Sequence, residues 1–211
     1  MRQYHIISLL LLILCTLSAC RERITSTLPV ATPAYLSTLP GALIYDLDSK
    51  DCSQPNAICK QYLLKTGKVK QLSNNLIAAY NNQYNLQDNF EESPNKRYVI
   101  QWKVIDKKGV IILPPPANGL KQPIIADRLT GGYHLLNLDE DRSIGGVSNF
   151  QWAPDSSHLL YSLTYEPDYA DAGTEYLFVI QSTKTGKAYR VFNAPQQNIR
   201  VMWTNKTLLI K

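Results

Sequence analysis

The chain has 211 residues, 45% of them apolar, and a formal net charge of +5. That length fits one ordinary domain or two very small ones, and the apolar content excludes global disorder. Lys and Arg are scattered, the densest groups being Lys107-Lys108 and Lys65 with Lys68. The concentrated basic stripe of a nucleic-acid-binding face is not there, so no nucleic-acid partner is expected.

The chain opens "MRQYHIISLLLLILCTLSAC". Arg2 supplies a positive start, and Ile6 to Leu17 is apolar except for Ser8 and Thr16. That run is about 12 residues, short of the ~20 a spanning helix needs, and it has the length of the apolar region of a secretory signal. Leu17-Ser18-Ala19-Cys20 resembles the bacterial lipobox: an aliphatic residue, two small residues, then Cys. The resemblance implies a signal peptide over 1–19, cleavage before Cys20, and acyl chains on its sulfur and amine. Such chains anchor firmly, at ~0.8 kcal/mol per buried methylene. Arg21, where an Asp typically retains such proteins at the inner membrane, implies the outer membrane and its periplasmic face. Residues 20–34 are rich in Ser, Thr and Pro and are expected to form a tether, leaving a domain over 35–211.

Two cysteines remain in the mature chain, Cys52 and Cys59 in "DCSQPNAIC". Pro55-Asn56 make a turn between them, and in an oxidising envelope a local disulfide is expected. So short a loop gives ~2.5 kcal/mol on the chain-entropy account. Zinc would want four ligands, and only His134 and His158 stand beside the cysteines. A C-x-x-C redox spacing is absent. No metal and no cofactor is expected.

Strand signals then dominate. "ALIYDLD", "RYVIQWKVID", "GVIILP", "HLLYSLTY", "EYLFVIQS", "KAYRVF", "IRVMWT" and "TLLIK" are short, β-branched or aromatic, and bounded by turn residues. "LSNNLIAAYNNQYNL" is the best helical candidate, but its Asn content points to a loop or one short helix. The segments repeat in order. "FQWAPDSSHLLYSLTY" is an aromatic strand, a Pro-centred polar turn and an apolar strand. "FEESPNKRYVIQWKVI" repeats it with Pro94 in the place of Pro154, and "VMWTNKTLLIK" repeats it without Pro. Lys-Thr-Gly-Lys occurs twice between apolar runs, and Gly67 and Gly186 are placed to take a positive φ in a hairpin. "VIDKKGVIIL" around Gly109 is a shorter hairpin.

This unit resembles the TolB-type, WD40-like β-propeller repeat. "WAPDSSHLLYSL" fits best, with Ser156 or Ser157 where Gly is usual, and "YLLKTGKVKQLS" fits the closing hairpin. The resemblance implies an all-β, propeller-like array of three blades and a two-strand remnant, about four small antiparallel sheets, closed, open or distorted. Pairing of 36–73 with 198–211 would complete one blade from the two ends of the chain. In that register Trp152 packs between adjacent sheets.

Fragments that imitate catalytic motifs fail on context. Ser93-Pro94-Asn95-Lys96 fits S-x-x-K, Tyr80-Asn81-Asn82 fits Y-x-N and Lys184-Thr185-Gly186 fits K-T-G. That chemistry needs the serine at a helix start, and Pro94 runs straight into a strand. A Walker loop fails on the order of its Gly, Lys and Thr. "NLDEDRSIGG" alternates acids as calcium loops do, yet has Arg142 where Gly and Ser148 where Glu belong. No catalytic residue is expected. "YEPDYADAGTEY", with Tyr165, Asp168, Tyr169, Asp171 and Tyr176, is a candidate recognition loop; its composition equally suits a tolerated surface insertion. The reading is a lipid-anchored envelope protein with a binding or scaffold role. Its partners would be other envelope proteins or peptidoglycan-associated factors. The alternative is an accessory or remnant propeller of an envelope peptidase or hydrolase system.

Overall fold

The structure, a computed structural model, describes residues 27–46, 59–72, 91–116, 118–139, 144–165, 175–194 and 201–204. The signal peptide, Cys20, Cys52 and the tip of the Tyr-rich loop lie outside them, as do most of the helical candidate and the last strand candidate.

Among the described residues eleven strands form three antiparallel sheets, beside one short helix α1 (Pro33–Leu36). The first sheet has β1 (Ala42–Asp46), β2 (Cys59–Leu63), β3 (Lys68–Gln71) and β11 (Val201–Thr204), in the order β11-β1-β2-β3. The second has β4 (Tyr98–Val104), β5 (Lys121–Asp127) and β6 (Tyr133–Leu135), and the third β7 (Ile144–Trp152), β8 (His158–Tyr165), β9 (Glu175–Ser182) and β10 (Ala188–Ala194). The two ends of the chain do meet: Leu43 of β1 lies opposite Trp203 of β11. That is the pairing the repeats implied, and among the described residues three sheets form where about four were expected. "GVIILP" is the reason. It meets the end of β4 only through the Ile112 N–H to Val104 O bond and the Ile105–Ile111 bridge just beyond the strand, while "KQPIIAD" takes the full register against β4. Three consecutive prolines after Leu113 lack the N–H groups a further ladder would need.

The third sheet lies between the other two, and a strict two-residue period builds both of its faces. Leu159, Tyr161, Leu163 and Tyr165 of β8, with Leu177 and Val179 of β9, pack with Trp152 against Tyr98, Ile100, Ile125 and Leu136 of the second sheet and its exit. Leu160, Phe178 and Ile180 point the other way, onto Leu43, Leu64 and Trp203. Strands buried on both faces read as near-continuous apolar runs, which is why "HLLYSLTY" and "EYLFVIQS" are the clearest strands in the sequence. Among the described residues each of the two core clusters joins the third sheet to one of its neighbours.

Each sheet closes on the same hairpin. Gly67, Gly131 and Gly186 have φ of 65°, 73° and 68°, and each N–H bonds the carbonyl four residues back, on Leu63, Asp127 and Ser182. In each, the preceding Thr oxygen accepts from the N–H two residues on: Thr66 from Lys68, Thr130 from Gly132, Thr185 from Lys187. The Thr-Gly turn is therefore the repeat, and the flanking lysines are incidental. The Pro turns match as well. Lys96 and Ser156, each two residues after its proline, take φ of 59° and 63°. Ser156 thus holds the place where glycine is usual in the resembled repeat.

The chain joins the domain earlier than its composition implied. Pro29 and Ala31 bond Arg190 on the open edge of β10, where Val30 and Arg190 form a parallel bridge. Leu28 is buried in one core cluster and Ala31 in the other. Within the stretch expected as a tether, residues 27–34 thus join the domain: among them only Leu28 and Ala31 are buried, so the stretch reads as polar, and it covers an edge strand that would otherwise be open to pairing.

Candidate functional site

The buried polar groups lie where the second and third sheets meet. Gln181 of β9 is fully buried; its amide donates to the Leu135 carbonyl at 2.7 Å and its oxygen accepts from the Asn137 N–H at 3.1 Å. The Tyr161 hydroxyl lies 2.9 Å from Asn137 O and 3.0 Å from Gln181 Oε1, and burial pushes its pKa up. Side chains of β8 and β9 thus bond the backbone at the end of β6, which fixes the spacing of the two sheets.

Asp139 follows two residues later, buried and at a φ of 57°. Its Oδ1 accepts from the Thr27 N–H at 2.9 Å and the Thr27 hydroxyl at 2.5 Å, and its Oδ2 accepts from the Tyr165 hydroxyl at 2.9 Å. Inside the acidic stretch that imitates a calcium loop, Asp139 receives hydrogen-bond donors and fastens the entering chain.

A third cluster gathers the Pro turns. Ser156 Oγ accepts from the Asn95 N–H at 3.1 Å, joining the turns of two sheets, and the Thr183 hydroxyl reaches the Ser156 and Ser157 carbonyls. Ser157 Oγ donates to Asp155 Oδ1 at 2.6 Å and lies 2.7 Å from His158 Nδ1. A nucleophile needs its proton facing the histidine, with the carboxylate behind that ring. Here the serine hydroxyl already donates to the Asp155 carboxylate. Burial lowers the pKa of His158, while Asp155 acts against the shift. Its ring stands beside Tyr35 and Trp203, and burial, with Tyr189 adjacent, pushes the Tyr35 hydroxyl up to about 12. Ser93 likewise donates to Asn95 Oδ1 and accepts from the Tyr98 N–H, as a turn residue does.

Tyr165 and Tyr176, expected in the recognition loop, sit on β8 and β9. Tyr165 is 4% exposed and Tyr176 packs on the other core cluster. The strands continue further than the polar sequence between them suggested, because apolar rings on both faces are worth burying. Asp168, Tyr169 and Asp171 lie outside the described residues. The backbone of Cys59 belongs to β2, and Cys52, with which a disulfide is expected, lies outside the described residues.

Exposed apolar surface gathers in a place the sequence reading passed over. Between Val104 and Lys121, which are register partners, the chain makes a long excursion. Leu113 is 79% exposed, Leu120 86% and Trp102, beside it on β4, 47%. Yet its backbone is held: Ile112 N bonds Val104 O, the Tyr133 hydroxyl donates to Gly109 O, and a Cβ on Gly119 would lie 2.6 Å from Val104 Cγ1.

The described residues form an all-β array of three small antiparallel sheets, in which the buried Gln181, Tyr161 and Asp139 hydrogen-bond from one element to another. No family model matches the chain, and no curated protein does. Among solved structures it is similar to the crystal structure of TolB from Acinetobacter baumannii, at 17% identity and a TM-score of 0.30. That match covers 82% of this chain and 33% of that one.

Proposed function

We propose that this is a lipid-anchored protein of the bacterial cell envelope with a non-catalytic binding or scaffold role. The observation that carries it is the docking of Thr27 to Ala31 on Asp139 and β10 so soon after Cys20. Only Arg21 to Ser26 intervene, and a fully extended run from Cys20 to Thr27 spans at most about 25 Å. An acyl group on Cys20 would hold the domain against its membrane. The titratable groups of the turn cluster support the non-catalytic part, being engaged in turns and sheet contacts. The partners would be other envelope proteins. Cys52 and Cys59 would form a disulfide in that compartment.

Labelling cells with a radioactive fatty acid tests the anchor. The wild type should take up label and Cys20→Ala should not; equal labelling of both would sink the reading. Crosslinking in intact cells then identifies what the domain binds.

A further inference from the structure

We propose that the excursion between β4 and β5 is a second membrane contact, whose apolar tip inserts into the surface of an anionic bilayer. The proposal deepens the anchored reading and rests on it for the choice of partner.

Exposed apolar side chains on a soluble surface ordinarily lie singly, whereas Trp102, Ile112, Leu113 and Leu120 gather at one end of the second sheet. Backbone bonds hold the start of the excursion to Val104 and Tyr133, and the Gly119 N–H to Pro116 O bond turns its far limb. Pro114, Pro115 and Pro116 bring no N–H groups that would need partners on leaving water. A tryptophan with one apolar side and one polar N–H suits the headgroup boundary.

Charge points to anionic lipid. The stretch 102–121 carries Lys103, Lys107, Lys108 and Lys121 against the single acid Asp106. That carboxylate already accepts from the Lys108 and Val110 N–H groups. Each lysine near an anionic surface strengthens binding about fivefold.

Position agrees. β6 runs antiparallel to β5 and leaves the sheet toward the end where β5 begins, with Leu136 N bonded to Pro123 O. Three residues on, Asp139 holds Thr27. The entry point of the lipidated segment and the apolar tip are therefore at the same end of the second sheet. A membrane holding Cys20 would meet Leu113 and Leu120.

Trp102 is its own reporter. The other two tryptophans, Trp152 and Trp203, are buried at 8% and 2% exposure. The full chain, its acylation checked by mass, is placed in phosphatidylcholine–phosphatidylglycerol vesicles containing lipids brominated on their acyl chains. Wild-type emission should be quenched, and Trp102→Phe should lose the quenched component. Leu113→Ser/Leu120→Ser, on the surface and harmless to the core, should lower that quenching by about tenfold or more. Removing the phosphatidylglycerol should weaken it. An acylated chain whose Trp102 stays unquenched would overturn the tip contact while leaving the anchor standing. The same result with a photocrosslinker at Leu113 capturing a protein in cells would make that surface a protein interface instead. Quenching by a chain with no acyl group would uphold the tip and defeat the anchor.

Discussion

Trp203 donates its indole N–H to the carbonyl oxygen of Pro40 at 2.7 Å, across 163 positions of sequence. The bond joins the last described strand to the turn that opens the first. It also makes Trp203 a lock between chain ends instead of a residue free to fray with its terminus. Trp152 holds the opposite face of the third sheet. Truncation of either to Ala should cost ~3–5 kcal/mol, with Trp203→Ala at least as damaging. Trp203→Phe keeps much of the packing and strands the Pro40 carbonyl, costing about 1–3 kcal/mol. Urea melts of the three variants measure this. An unchanged midpoint for Trp203→Ala would mean that β11 does not pair with β1.

Gly131 and Gly186 separate backbone strain from contact. Both sit at positive φ in equivalent hairpins, but a Cβ on Gly131 meets nothing within 4 Å, while one on Gly186 lies 2.7 Å from His134 Nδ1. Gly131→Ala should cost only the left-handed penalty, about 1–2 kcal/mol. Gly186→Ala should cost more, and pairing it with His134→Ala should recover the difference. Equal costs for the two single variants would show that the second and third sheets do not touch there.

Asp139 holds the entering chain through Thr27 and the third sheet through Tyr165. Tyr165→Phe leaves a buried carboxylate short of a donor and should cost about 1.5–3 kcal/mol. Thr27→Val removes the hydroxyl and keeps the N–H, so its effect should be smaller. Both should speed protease cleavage ahead of Leu28, read by the mass of the trimmed product. Cleavage at wild-type rates would mean the strap is not held by this carboxylate.

Acid should weaken the fold in two windows. The Arg97 guanidinium bonds both oxygens of Asp127, and with the Leu129 N–H it holds that carboxyl well below the usual range. A depressed carboxyl pKa contributes stability above its unfolded value, about 3.9, and loses it as pH falls through the folded value. Asp127→Asn should therefore be less stable than wild type at pH 7, with the gap closing at pH values below about 4. His158 is also depressed, by burial, from 6.5. It favours the fold above that value and loses the advantage as the buried ring takes a proton, so His158→Phe should flatten the slope of stability near and below pH 6.5. A wild-type slope retained in that variant would place the titration elsewhere.

How much of this was legible beforehand depends on the range of the interaction. Alternating apolar residues in "HLLYSLTY" and the Thr-Gly turns of "KTGK" act between neighbours in the chain, so the sequence alone determined an all-β repeat array and the hairpins within it. The pairing of β1 with β11 was also readable, because each end carried half a repeat. The tertiary structure decided what depends on distant partners. It turned Tyr165 inward onto Asp139, made Leu28 and Ala31 part of the core within a polar stretch, and gave Trp203 the Pro40 carbonyl. It reduced the sheets to three by setting "KQPIIAD" beside β4, and it left Leu113 and Leu120 outside. A leucine reads the same in sequence whether or not another sheet covers it, since burial belongs to the surface it meets and not to the residue.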